Sequence, residues 1–236
     1  MFFLLRLNWI LIAAAVIPAV VLLVMVYRAD KLEKEPRGLL LKLVLMGVLS
    51  ALISLVLEKI GTWILDHVFR YADTLYFILT YFVVVACAEE GSKYFLMKRV
   101  SWNNPAFNCR FDGIVYAVFV SLGFALWENI NYVLMFGFQT ALLRAVTAVP
   151  GHACFGVFMG VWYGMARAQE NIGRVENSKI FRILSVLVPV LLHGTYDYIA
   201  VVNMENGIGY FVLFIAVMFG LAFFMVRRVS RKDQFI

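Results

Sequence analysis

Charged residues are scarce in this sequence. Only 15% of its 236 residues are Asp, Glu, Lys or Arg, whereas 63% are hydrophobic and the mean hydropathy is +0.86. An ordinary soluble domain is about 45 to 50% apolar. The composition therefore excludes a typical soluble domain and predicts a multi-pass protein of the cell membrane, with the lipid bilayer as its surroundings.

Cysteine is also rare, and several sequence motifs are missing. Cys87, Cys109 and Cys154 form no even, regularly spaced set, so we predict no structural disulfide. The sequence has no N-glycosylation sequon and no lipidation motif at either end. No basic patch with interleaved aromatic residues stands out, so nucleic acid is not an expected partner.

Seven apolar stretches are long enough to cross a bilayer, which takes about 20 helical residues. They predict an all-α fold. The residues after the second stretch, 58–73, have apolar side chains at helical spacing and predict a short interfacial helix on which His67 is a surface residue. The seven predicted spans cover residues 7–26, 39–57, 75–97, 111–136, 141–165, 181–202 and 209–226.

Basic residues lie mainly on one side of this predicted bundle. Fifteen of the 21 Lys and Arg residues fall in loops 28–37, 98–110 and 167–182 or in the C-terminal tail, against four on the opposite side. Because basic residues concentrate in cytoplasmic loops, we expect the N-terminus outside and the C-terminus in the cytoplasm. No internal repeat is visible, which counts against the transporter folds that are built from repeats.

The third span contains adjacent carboxylates, Glu89 and Glu90, followed by Lys93. A charge at the bilayer centre costs about 2.5 to 3.5 kcal/mol on insertion scales, so a functional role is the default hypothesis. Glu89 and Lys93 are four residues apart and share a helix face, where the lysine can keep the carboxylate ionised. Glu90 is turned away by about 100°, so we expect the two carboxylates to have different roles.

Spans four to six also contain ionisable residues. If the charged residues were unpaired at the midplane, the penalty would total about 15 kcal/mol, comparable with the stability of a typical protein. We therefore expect them to share a hydrated or mutually paired cavity. His193 and Asp197 are four residues apart, so the carboxylate can orient the imidazole. The residues are Glu128 in span four, His152 in span five, and His193 and Asp197 in span six.

Several kinds of chemistry fit these residues. A carboxylate facing two imidazoles can activate water, shuttle a proton and stabilise an oxyanion, as peptide hydrolysis requires. Glu89, His152 and His193 are equally a donor set for zinc with an open fourth position. A proton-coupled transporter would also use a buried relay of this kind, and a non-catalytic membrane scaffold is a further alternative. Cys154 is a poor candidate for a thiol nucleophile.

Four motifs in this order resemble the PrsW family of intramembrane proteases, distant relatives of the membrane-embedded CAAX prenyl endopeptidases. The resemblance covers nearly the whole chain, and the charged segment Asp30 to Pro36 adds weakly to it. The motifs are Glu89-Glu90-Gly91-Ser92-Lys93, Phe124 to Asn129 with Glu128, His152, and His193-Gly194-Thr195-Tyr196-Asp197.

The resemblance implies one integral membrane protease domain over residues 1–236, with catalytic helices at 75–202. It implies an endopeptidase that cuts a single-span membrane protein. In the best-known members this is the first cleavage of an anti-sigma factor. The related CAAX enzymes favour glutamate-activated water without a metal cofactor, although family members are often labelled metalloproteases. The catalytic residues carried over are Glu89, Glu90, His193 and His152, supported by Glu128, Lys93, Asn129 and Asp197.

Overall fold

A computed structural model describes residues 2–69, 74–201 and 207–236, with side chains from Trp9 onward. Secondary structure within these residues is helical, without a β-strand. The helices are α1 (Phe2–Ala29), α2 (Arg37–Val68), α3 (Thr74–Ile78), a π-helix (Leu79–Ala86), α4 (Cys87–Ser101), α5 (Arg110–Phe136), α6 (Phe138–Val146), α7 (Ala148–Asn171), α8 (Val175–Val201) and α9 (Gly207–Arg231).

Seven of the described helical stretches are long and apolar enough to cross a membrane. The third consists of α3, the π-helix and α4 in continuous succession. The predicted all-α, polytopic fold with seven spans is therefore confirmed. The orientation, with the N-terminus outside, stays a prediction.

The prediction of a separate interfacial helix at 58–73 is wrong. Helix α2 continues for 32 residues to Val68, and residues 70–73 lie outside the described part of the chain. Polar and apolar residues alternate at helical spacing after Leu57, so the same helix extends without a break beyond the apolar core of the span. His67 is exposed, as predicted, with its Nδ1 atom 2.6 Å from the carbonyl oxygen of Trp63.

The predicted fifth span is divided into two helices. The backbone of Thr147 (φ −120°, ψ −75°) leaves the helical region and separates the short α6 from α7. Pro150 lies in the first turn of α7, where a missing N–H group removes no intrahelical hydrogen bond. This break allows α6 to leave the direction of α7 and to approach α1 and α5.

Helix α5 is the centre of the bundle, and its residues 111–125 are all buried. The predicted close-packing face at Gly156, Gly160 and Gly164 is confirmed, because it lies directly on α5. A Cβ atom added to Gly156 would lie 2.9 Å from Val118 Cα, and one added to Gly160 would lie 2.5 Å from the Gly113 carbonyl oxygen. Small residues therefore bring the backbones of α5 and α7 close together.

The basic loops meet at one end of the bundle, as their grouping predicted. The C-terminal residue Ile236 donates its N–H to the Asn108 carbonyl oxygen (2.7 Å), and Asn108 Nδ2 donates to Glu33 Oε2 (3.1 Å). Asp233 Oδ1 accepts the N–H of Phe111 (3.0 Å). The tail thus closes the bundle over the start of α5.

Candidate active site

Ionisable side chains from the middle of the bundle converge at one place, as the energetic argument required. They come from α4, α5, α7 and α8, and a residue of α6 joins them. We call this group the Lys93 cluster, and it consists of Glu89, Glu90, Lys93, Glu128, Arg144, His152, His193 and Asp197.

Lys93 is the centre of the cluster and is completely buried. Its Nζ atom lies 3.1 Å from Glu89 Oε2, 2.7 Å from Glu90 Oε1 and 3.2 Å from His152 Nδ1. The ammonium also lies 3.8 Å from the ring centre of Phe124, a cation–π contact. Both carboxylates and an aromatic face thus compensate its desolvation.

The expectation that Glu90 points away from Lys93 is wrong. Glu90 is the closer of the two carboxylates to the ammonium, at 2.7 Å. Residues three apart on a helix are also neighbours, and the long lysine side chain reaches between the two glutamates. Lys93 therefore connects the two carboxylates.

His152 connects Lys93 to the far side of the cluster. Its Nδ1 atom accepts from the Lys93 ammonium, so its Nε2–H donates to Glu128 Oε2 at 2.8 Å. Arg144 Nη2 donates to the same Glu128 oxygen, also at 2.8 Å. These contacts fix both the tautomer and the orientation of the imidazole.

His193 lies on the other side of the glutamate pair. Its Nδ1 atom is 2.9 Å from Glu90 Oε1, and its Nε2 atom is 3.4 Å from Asp197 Oδ2. The expected pairing of Asp197 with His193 is therefore present. A ring protonated on both nitrogens can donate to both carboxylates. The imidazole also stacks on Phe155, with ring centres 4.7 Å apart, which holds it in place.

The two glutamates differ in what they face. Glu89 lines a partly open cavity of about 650 Å³ together with His152 and His193, whereas Glu90 does not line it. Glu90 is fully buried, and its Oε2 atom has no hydrogen-bond partner among the described residues. Glu89 is thus the carboxylate within reach of a molecule in the cavity.

The cavity lies between α2, the π-helix, α5, α7 and α8. Its polar lining comes mainly from six members of the Lys93 cluster, and its remaining walls are largely apolar and aromatic. The six are Glu89, Glu128, Arg144, His152, His193 and Asp197. The walls outside the cluster include Ala51, Ser54, Leu55, Glu58, Tyr81, Val85, Trp127, Tyr132, Met135, Phe136, Tyr196 and Val201.

Asn129, which the sequence placed among the supporting residues, contacts the cluster only through Arg144. Its Nδ2 atom donates to the Ala15 carbonyl oxygen (2.7 Å), and its Oδ1 atom accepts from Arg144 Nε (2.9 Å). The side chain is fully buried. Asn129 therefore ties α1 and Arg144 to α5.

Sequence reasoning missed two residues of the site. Arg144 was counted only among the basic residues of the outer side, yet it binds both Glu128 and Asn129. Its partners lie 15 and 16 positions earlier in the sequence, a separation that gives no periodic signal. Glu58 lines the cavity from α2, and its position in an expected interfacial helix concealed this.

A metal ion would have to compete with Lys93 for its ligands. Among the described residues, donor atoms of Glu89, Glu90 and His152 lie within 4.8 Å of one another. The zinc ligands expected from the sequence included His193, and Glu90 takes its place in this group. The ammonium contacts all three donors. Each nitrogen of His152 and His193 already faces a side-chain partner.

Comparison with known proteins identifies the family of this chain. The family described as PrsW family intramembrane metalloprotease matches residues 35–224. Protease PrsW of Halalkalibacterium halodurans is 32% identical over 228 residues, which cover 95% of this chain and 99% of that protein. Protease PrsW of Bacillus subtilis is 34% identical over 217 residues, covering 89% and 92%.

Protease PrsW of Oceanobacillus iheyensis is 34% identical over 189 residues, covering 80% of this chain and 82% of that protein. No solved structure matches the chain. The match to the family extends from the loop before α2 into α9 and so includes every residue of the Lys93 cluster. This chain belongs to the PrsW family of intramembrane proteases.

Proposed function

We propose that this intramembrane protease is of the glutamic type, with Glu89 as the general base that activates water. The observation that carries this proposal is the gap between Glu89 and His193 at the cavity wall. Glu89 Oε2 lies 3.8 Å from His193 Nδ1, too far for a direct hydrogen bond. A water molecule in the cavity can donate to Glu89 beside the imidazole, whose Nδ1–H is held by Glu90.

The reaction then follows from these positions. Glu89 accepts a proton from the water as the water oxygen attacks the carbonyl carbon of the scissile peptide bond. The carbonyl oxygen becomes an oxyanion in the tetrahedral intermediate. When the C–N bond breaks, the protonated Glu89 returns its proton to the leaving nitrogen. The products are one carboxylic acid and one amine, and the glutamate is regenerated.

Positive charge close to Glu89 stabilises the oxyanion. The Lys93 ammonium lies 3.1 Å and the His193 ring nitrogen 3.8 Å from Glu89 Oε2. In a site that excludes most water, such fixed charges act more strongly than they would in solution. Glu90 holds both Lys93 and His193 from behind, so its proposed role is to position them.

The contacts of Lys93 support a mechanism without metal. A zinc ion bound to Glu89, Glu90 and His152 would lie beside the ammonium that now contacts the same three donor atoms. Like charges repel strongly at such distances in a protein interior. The donor set therefore does not fit a zinc ion in this arrangement, and we route no step through a metal.

The substrate that we propose is a single-span membrane protein of the anti-sigma factor class. The cavity lies among membrane-spanning helices and has apolar walls, which suit a peptide segment from within the bilayer. The resemblance to family members that make the first cut in an anti-sigma factor supports the narrower choice. Proteolysis also fits the family better than the transporter or scaffold alternatives.

A cleavage assay tests the mechanism. The purified protein is reconstituted in vesicles with a fluorescently labelled single-span peptide, and the initial rate is compared between the wild type and Glu89→Gln. General base catalysis contributes about 100- to 10,000-fold, so we expect a loss of that size. The matched control is Glu33→Gln, which changes an exposed glutamate outside the cavity. We expect it to stay within about threefold of wild type.

A Glu89→Gln variant that cleaves as fast as wild type would exclude Glu89 as the base. The substrate class is tested separately by co-expression with tagged single-span anti-sigma factors from the same organism. We expect a shortened product with the wild type and none with Glu89→Gln. If unrelated single-span proteins are shortened equally well, the anti-sigma proposal is wrong while the mechanism stands.

A further inference from the structure

A second groove lies on the lipid-facing side of the bundle, between α4 and α8. Its volume is about 630 Å³, and none of its lining residues belongs to the cavity of the Lys93 cluster. The residues that line it are Cys87, Tyr94, Lys98, Lys179, Arg182, Ile183, Val186, Leu187 and Val190.

The body of the groove is apolar. Ile183, Val186, Leu187 and Val190 follow the spacing of a single helix face, so α8 presents one continuous apolar wall. Ile183 is 63% exposed and Leu187 is 45% exposed on the protein surface. In a membrane, a surface of this kind is covered by hydrocarbon chains.

One end of the groove is cationic, through Lys98 of α4 and through Lys179 and Arg182 of α8. Lys98 makes no side-chain hydrogen bond or ion pair within the described part of the chain. Lys179 contacts Glu176 at 2.7 Å, and both side chains are largely exposed. Arg182 Nη2 lies 3.4 Å from Glu170 Oε2, and its guanidinium lies 5.1 Å from the ring centre of Trp102.

These contacts give the three cations different freedom. Arg182 is held in place by a carboxylate and an aromatic ring, whereas Lys98 and the exposed Lys179 can turn toward an added anion. Basic pockets between membrane helices are suited to the head groups of acidic lipids. The cationic end thus supplies the charge that complements a phosphate.

The length of the groove matches one leaflet. Cys87 and Lys98 are eleven positions apart on α4, which corresponds to about 16 Å along a helix. Half of a hydrocarbon core of about 30 Å is about 15 Å. A lipid with its head group at Lys98 therefore places the end of its acyl chain near Cys87.

We propose that this groove binds an anionic phospholipid, with its phosphate between Lys98, Lys179 and Arg182 and one acyl chain along α8. The lipid contacts both α4 and α8, which carry Glu90 and His193 respectively. It belongs to the leaflet on the side of the basic loops. The binding does not depend on the proposed hydrolytic mechanism.

Photocrosslinking tests this proposal. The full-length protein is reconstituted in phosphatidylcholine vesicles that contain a small fraction of either phosphatidylglycerol or phosphatidylcholine with a diazirine on the acyl chain. Adducts are then mapped to peptides by mass spectrometry. We expect the anionic probe to label residues 87–98 and 183–190 several-fold more than the zwitterionic probe does.

Two double variants with equal loss of charge sharpen the test. Lys98→Ala/Lys179→Ala should reduce labelling by the anionic probe to the level of the zwitterionic one, since each cation near the surface contributes about fivefold in binding. Arg227→Ala/Arg228→Ala removes two exposed cations from the end of α9 and should leave the labelling unchanged.

The proposal would be overturned by equal labelling with both probes, by no change in Lys98→Ala/Lys179→Ala, or by the same loss in both double variants. Competition with excess glycerol phosphate tests whether the groove binds a lipid or a free phosphate compound. We expect it not to compete, because it lacks the acyl chain, and full competition would assign the cations to a soluble anion instead. Because photolabelling needs no hydrolysis, catalytically inactive Glu89→Gln protein gives the same readout.

Discussion

Within the described part of the chain, buried carboxyl groups occur at two places, and their partners differ. One place is the Lys93 cluster. The other is the end of the bundle with the basic loops, where an acidic cluster surrounds the start of α5. The acidic cluster consists of Asp30, Glu35, Asp112 and Asp233.

In the acidic cluster, Glu35 and Asp112 accept hydrogen bonds from neutral donors. Tyr116 donates to Glu35 (2.7 Å), and the backbone N–H of Cys109 donates to Asp112 (2.6 Å). Lys34 lies nearby, but its ammonium donates to the backbone carbonyl oxygens of Tyr27 and Asp30. Burial raises the pKa of Asp30 to about 6 and also raises the pKa of Glu35.

The Lys93 cluster instead places cations between its carboxylates. Lys93 and Arg144 supply fixed positive charge, and the two histidines supply sites that can gain or lose a proton. These groups also surround a cavity, whereas the acidic cluster caps the N-terminus of α5. Burial of carboxyl groups therefore does not identify a reactive site by itself. The distinguishing features are mobile protons, nearby cations and space for a substrate.

The largest expected difference between the two clusters is in activity. Glu90→Gln removes the negative charge that both Lys93 and His193 contact. We expect the cleavage rate to fall at least about 100-fold, a loss about as large as that from removing one acid–base group. Glu35→Gln retains an acceptor for Tyr116, so its rate should stay within about threefold of wild type. The measurement is the initial cleavage rate in vesicles. Equal losses in both variants would contradict the distinction.

The next effect concerns stability and metal binding. Lys93→Met leaves Glu89 and Glu90 buried without their cation, so we expect about 3 to 5 kcal/mol of destabilisation. The substitution also removes the ammonium from between the donor atoms of Glu89, Glu90 and His152. We therefore expect the variant to bind zinc. Thermal unfolding in detergent with and without zinc, together with elemental analysis, measures both effects.

Lys42→Met is the matched control, because Lys42 is an exposed lysine within a span. It should unfold like wild type and bind no zinc. Stoichiometric zinc in the purified wild type, lost in His152→Ala, would contradict the metal-free mechanism. Unchanged stability of Lys93→Met would contradict the central role of its ammonium.

A smaller effect is expected at Arg144, which acts through Glu128 on His152. Arg144→Ala should lower kcat by about 10- to 100-fold, the range for a misplaced catalytic group, with little change in KM. Arg144→Lys should recover part of the loss. In a double-mutant cycle with Glu128→Gln the effects should be non-additive. Lys59→Ala, on the same predicted side, is the control, and additive effects would show that Arg144 acts independently.

The smallest expected effect is a pH dependence at the acidic cluster. The pKa of Asp30 is raised from its ordinary value of 3.8 to about 6, so the folded state retains the proton more strongly than the unfolded state does. The resulting stabilisation is complete below about 3.8 and is lost as the pH rises through about 6. Lys34, Glu33 and Asp233 are the charged groups that act on this carboxyl.

Hydrogen exchange, corrected for the intrinsic pH dependence, measures this effect in residues 30–36 and 232–236. Protection should be several-fold lower at pH 7.5 than at pH 5, and Asp30→Asn should remove the difference. Glu33→Gln changes an exposed carboxylate and should keep it. A pH dependence that persists in Asp30→Asn would assign the effect to another group.

The sequence by itself determined the number of spans, the membrane class and most of the candidate site. A charge in an apolar helix is energetically exceptional, so Glu89, Glu90, Glu128 and Asp197 stand out without a structure. The pitch of a helix also fixes local neighbours, which is why the pairing of His193 with Asp197 was predicted correctly. Both inferences need only local geometry.

Only the tertiary structure decided which helices face each other and with which residues. Contacts such as Lys93 to His152, Glu90 to His193 and Arg144 to Glu128 depend on the rotation and depth of each helix relative to its neighbours. That rotation is set by packing across the whole bundle, including the glycine contacts between α5 and α7. Local periodicity does not contain this information, and so the contacts of Arg144 and the contact between Glu90 and His193 could not be predicted from it.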